Sequence, residues 1–103
     1  SIKRAADRIS FRFTADNTEK LRHEYKTFIQ RLYNKKIIEN NNDTAQDILE
    51  RMLSIIPNQK DALISITDTY ENVRYGVRIP MDSELKSFRK NIAEISKGLQ
   101  LMQ

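Results

Sequence analysis

Residues 70–76 read Tyr-Glu-Asn-Val-Arg-Tyr-Gly, and they bring two phenols, a carboxylate and a guanidinium within reach of one another. On a helix Tyr70 and Arg74 share a face, Glu71 and Arg74 are three apart, and Glu71 and Tyr75 are four apart. Such a set could move protons, hold an anion or anchor a partner, since tyrosine and arginine dominate interface energetics. It could equally end a helix. A tyrosine ring buries while its hydroxyl keeps a polar partner, and arginine reaches carboxylates or end-of-helix carbonyls through a planar fork. Gly76 tips the balance to this second reading, because a glycine there supplies the left-handed conformation in which helices stop. The functional alternative is an exposed rim of Arg74, Tyr75 and Arg78 that works with the basic first helix.

Other chemistry finds less support. The single histidine, His23, falls opposite Leu21, Tyr25 and Leu32 on the first helix, a position facing water. No glycine-bracketed serine or glycine-rich phosphate loop supplies the backbone geometry of a nucleophile or a phosphate cradle. Asp68 and Glu71 share a helix surface, but no Glu-x-x-His pair accompanies them and the chain has no cysteine. No catalytic residue, cofactor or metal is therefore expected. Sequence-specific DNA readout is also disfavoured: from Asp61 to Asn72 the third helix carries three acids and no base, the wrong charge for a groove. Two rivals remain: a small hydrolase using acidic residues of the third helix, and a non-specific binder of nucleic acid or anionic lipid through the basic N-terminal region.

The elements that position these residues are helices. With only two glycines and two prolines in 103 residues, a turn-rich β fold is excluded. Leu21, Tyr25, Phe28, Ile29, Leu32 and Tyr33 form one face of a helix from about Thr18 to Lys36, with Asp16 and Glu19 at its start and Asn17 competing for the cap. The polar run Glu39 to Asp43 ends it. Thr44 caps a second helix, paired with Asp47, whose buried face runs from Ala45 to Ile56 until Pro57 stops it. Asn58 opens a third, burying Ala62, Leu63, Ile66, Tyr70 and Val73 up to Gly76. After a short crossover Asp82 caps the fourth, where Leu85, Phe88, Ile92, Ile95, Leu99 and Met102 make a strict three-four seam. That seam suits bundle packing and could also pair two copies. The expected architecture is all-α: four main helices in a small bundle over 17–103, preceded by a short basic arm over 1–16.

Charge is split along the chain. Residues 1–40 hold ten Lys/Arg against five Asp/Glu, whereas residues 41–103 hold eight against nine. Attraction to an anionic membrane surface or to phosphates should act at the basic front. No apolar run approaches a membrane span. The opening on Ser1 rather than Met is read as the mark of an excised or processed piece.

The span from about Leu21 to Ile95 resembles the helical C-terminal domain that follows the last membrane span in bacterial transglutaminase-like membrane proteins. The matching features are "YKTFIQRLYNKK", Thr44 opening "TAQDILERM", and "ITDTYENVRYG", closed by "VRIPMDSELKSFRKNI". A threonine followed 26 residues later by Tyr-Glu-x-x-Arg-Tyr-Gly carries most of the specificity. The resemblance implies a non-catalytic module for protein interaction or assembly, tethered to the cytoplasmic face of the plasma membrane. The basic front agrees with that placement. Without a cysteine the chain has nothing to match the family's Cys-His-Asp set, so its enzymatic activity is not carried over.

Overall fold

Asp16 starts the fold. Its Oδ1 accepts from the Glu19 amide at 3.0 Å, so Asp16 takes the cap position for which Asn17 competes. A computed structural model describes residues 16–76 and 78–100, and among them the architecture is all-helical: α1 Asn17–Asn34, α2 Ala45–Ile55, a 3-10 turn Pro57–Gln59, α3 Lys60–Arg74 and α4 Asp82–Gly98. The basic arm expected over 1–16, Asp16 apart, and Met102 of the closing seam lie outside the described residues.

α3 is the hub. It packs on α4, α2 and α1, and α4 also packs on α1. The buried residues are those the periodicity selects: Leu21, Phe28 and Leu32 from α1, Met52 from α2, Leu63 and Ile66 from α3, and Phe88 and Ile95 from α4. The seam of α4 is spent inside the bundle, with Leu85, Phe88, Ile92 and Ile95 buried and Leu99 packed against the core. Tyr33 departs from its expected place, since it lies outside the core and exposed.

Two caps differ from expectation. Asn58 does not open α3; it sits within the 3-10 turn, with Pro57 at that turn's first position, where a missing amide costs no hydrogen bond. Asp82 does not cap α4 either, because it is already the first helical residue and Met81 is the cap. The Met81 amide donates to Glu84 Oε1 at 3.2 Å, while Asp82 Oδ1 accepts from Asn17 Nδ2 at 2.8 Å. The same Asn17 amide group donates to the Pro80 carbonyl at 2.9 Å. The residue that loses the competition for the first cap thus ties the start of α1 to the start of α4.

The exit from α1 is a finding of the structure. Lys36 adopts φ 60°, the Lys36 amide donates to Tyr33 O at 3.0 Å, and the Ile37 amide donates to Leu32 O at 2.9 Å. This is a complete Schellman stop built on lysine instead of glycine. It turns Ile37 and Ile38 inward, with Ile38 buried and Ile37 packed on the core. Arg51 of α2 donates from Nε to the Ile37 carbonyl at 3.3 Å.

Candidate functional site

Thr44 Oγ1 accepts from the Asp47 amide at 3.1 Å and starts α2 as its sequence position requires. α2 then lays Gln46 beside α3, where Gln46 Nε2 donates to Glu71 Oε1 at 3.1 Å. Glu71 is thereby committed to joining two helices. Val73 is buried, and Gly76 has φ 69° with its amide donating to Val73 O at 3.1 Å. Glycine at this position is required by the backbone: a Cβ would meet no atom within 4 Å, so the demand is conformational and not steric crowding.

Tyr70 faces inward and stacks on Tyr25 of α1, with ring centroids 3.8 Å apart and planes 14° from parallel. Phe88 of α4 adds a tilted contact to Tyr25 at 6.5 Å. Three helices therefore meet at aromatic rings, a joint between α1, α3 and α4. Burial holds the Tyr25 phenol well above the ordinary tyrosine range; Tyr70 and the Glu71 carboxylate push the same way and Arg74 opposes them. Tyr25 stays neutral through the physiological range.

The joint also has an open side. A cleft of about 310 Å³ lies against Tyr25 and Tyr70, walled by Ile29, Ala45 and Ile48. Lys26 and Gln30 of α1, Asn41 and Asp43 of the α1–α2 connection, and Arg74 of α3 supply its polar lining. Tyr70 and Arg74 are thus partly structural and partly presented to this space. His23, Asp68 and Glu71 do not line it, so the acids of α3 and the histidine are not brought together here. Among the described residues no three or more His, Asp or Glu side chains converge as a metal site.

The anticipated rim of Arg74, Tyr75 and Arg78 separates into two parts. The Arg74 guanidinium lies 5.7 Å from the Tyr75 ring centroid, a cation–π contact, where a carboxylate or the helix-end carbonyls are the expected partners. Arg78 instead forms a two-pronged ion pair with Glu84, its Nη2 at 2.6 Å from Oε2 and its Nη1 on Oε1. That hydrogen-bonded pairing raises the Arg78 pKa and lowers that of Glu84. Beyond Gly76, Pro80 is buried and its carbonyl is held by Asn17. The segment leading into α4 is therefore braced from two sides, yet Tyr75, Ile79 and Met81 are 71%, 64% and 63% exposed. Comparisons with protein families, curated proteins and solved structures find no match to this chain.

Sequence reasoning missed the cleft and the display of Ile79 and Met81. A usable signal for the cleft was present: Tyr25 and Tyr70 both sit on core faces of different helices, and an inward-facing tyrosine hydroxyl needs a polar partner. Nothing local connects residues 45 apart in the chain.

Proposed function

We propose that this domain is a non-catalytic interaction module, the cytoplasmic tail domain of a transglutaminase-like membrane protein, and that it docks through the segment between α3 and α4. One observation carries the reading: a braced connection exposes three large apolar side chains, Tyr75, Ile79 and Met81, beside Arg74 and Arg78. Isolated exposed apolar residues are commonplace, but three within seven residues, two of them on the braced stretch 78–81, suit a partner. Bracing matters because a surface already held in one conformation loses little entropy on binding. The resemblance and the basic front support the membrane tether.

The test is site-specific photo-crosslinking in cells that make the protein, with the probe at Tyr75 or Ile79 and control probes at the exposed positions Arg22 and Glu50. The reading expects a discrete protein adduct from the first pair, lost when Met81 and the unlabelled member of the pair become serine. Adducts of equal yield from all four positions, or none from Tyr75 and Ile79, would remove it.

A second contact, with anionic lipid, is favoured by the opposite partners of the same bundle. Lys20 of α1 and Lys86 and Arg89 of α4 line a hollow of about 360 Å³ where these helices begin. Arg89 is partly neutralised by Glu24 at 3.0 Å, and Asp82, held by Asn17, also lines the hollow, so the two lysines supply its remaining positive charge. Binding should be stronger to anionic than to neutral vesicles, fall with salt, and weaken on Lys20→Glu with Lys86→Glu or on deletion of residues 1–12. Equal binding to both vesicle types refutes this contact.

A further inference from the structure

We infer that the cleft over Tyr25 and Tyr70 is a binding site for a small carboxylate with a flat apolar body. It borders the docking segment and shares Arg74 with it, but Ile79 and Met81 do not line it, so variants at those two residues test docking alone and Lys26 variants test the cleft alone. Its volume of about 310 Å³ is at the lower end for small-ligand pockets, which suits a small ligand. Aromatic rings and the aliphatic walls Ile29, Ala45 and Ile48 give it the apolar lining that such pockets share.

Charge selects the head group. Lys26 and Arg74 reach the cleft from different helices, and Asp43 is the acid that lines it, so one negative charge on a ligand completes the balance. Glu71 is engaged by Gln46 and does not line the space. The Gln30 side-chain amide is likewise occupied, donating to Asn34 Oδ1 at 2.9 Å. Arg74 is the better-placed cation, because the Tyr75 ring holds its guanidinium and its planar fork matches a carboxylate. Tyr75 is accordingly a positioning residue for Arg74. A neutral Tyr25 phenol adds no repulsion to an arriving anion.

Three probes with one body and different heads decide the matter: 4-phenylbutyrate, 4-phenylbutyramide and 4-phenylbutylamine, titrated into the 15N-labelled chain. The carboxylate should shift the amide resonances of Ile29, Ala45, Ile48 and Tyr70 along a saturating curve, the amide more weakly, and the amine least. Lys26→Glu and Arg74→Glu change exposed residues, and unchanged amide resonances away from the cleft verify that the fold is kept. Each should weaken carboxylate binding about three- to five-fold, the scale of a single exposed charge pair, and together they should abolish saturation. Equal binding of all three probes, shifts spread over other surfaces, or no shifts at about 10 mM probe, beyond the millimolar range of weak ligands, would overturn the assignment.

Discussion

α1 and α3 end in the same backbone conformation and then do opposite things. Lys36 and Gly76 have φ 60° and 69°, and each begins an exit stabilised by an amide turned back on the helix. After Lys36 the chain drives Ile37 and Ile38 into the core, and Arg51 holds the Ile37 carbonyl from outside. After Gly76 the chain buries Pro80 but turns Ile79 and Met81 to water. The first exit is a clasp held by hydrophobic burial; the second is a display held by Asn17, the Arg78–Glu84 pair and the Met81 cap. Burial of Ile37 and Ile38 offsets the strain of a left-handed lysine, whereas glycine takes the same backbone conformation without that strain.

The strongest way to break this contrast is to truncate one isoleucine from each exit. Ile38→Ala, at 3% exposure, should lower unfolding stability by about 2–4 kcal/mol, while Ile79→Ala should stay within about 0.5 kcal/mol of the parent. Urea denaturation measures both, and equal losses would erase the distinction. Next in size, Gly76→Ala should cost about 1 kcal/mol or more, and Lys36→Gly should gain roughly 0.5 kcal/mol by relieving a strained lysine. A Lys36→Gly variant less stable than the parent would show that the lysine side chain itself secures the clasp.

Two pH effects sharpen the picture further. Tyr25, stacked on Tyr70, has its phenol pKa raised, chiefly by burial. Its contribution to stability is full below the unfolded tyrosine value of about 10 and is lost as pH rises through the higher folded value. Tyr25→Phe should flatten that alkaline decline in melting temperature. The smallest effect belongs to the display. Glu84 is lowered below the usual glutamate value by its hydrogen bonds from Arg78 and the Met81 amide. Its contribution is present above about pH 4.3 and is lost as pH falls through the folded value. Glu84→Gln should remove that acid-side slope while leaving the alkaline one unchanged.

Much of this fold was legible in the sequence because helix periodicity and capping are local. The α1 start at Asp16, the α2 cap at Thr44, the stop at Pro57 and the left-handed Gly76 all follow from neighbours within four residues. Legibility failed where tertiary partners decide. Lys36 carries no glycine signal, and its turn is stabilised by burial of the isoleucines that follow. Asp82 has the side chain of a cap but is drawn to Asn17, 65 residues away, and Glu84 closes the helix start from inside. The candidate site shows the same division. Gly76 closes α3 in the left-handed conformation its position suggests, whereas the Gln46 partner of Glu71 and the cleft beside Tyr70 and Arg74 exist only because α2, α1 and the segment around Asp43 arrive there.

The docking reading depends on an exposed segment being rigid. Backbone 15N relaxation of Arg78, Ile79 and Met81 tests this most directly. The account predicts order parameters near those of the helices, about 0.8 or higher. Values below about 0.6 would mean that the braces do not hold, and exposure of Ile79 and Met81 would then reflect only a loose connection.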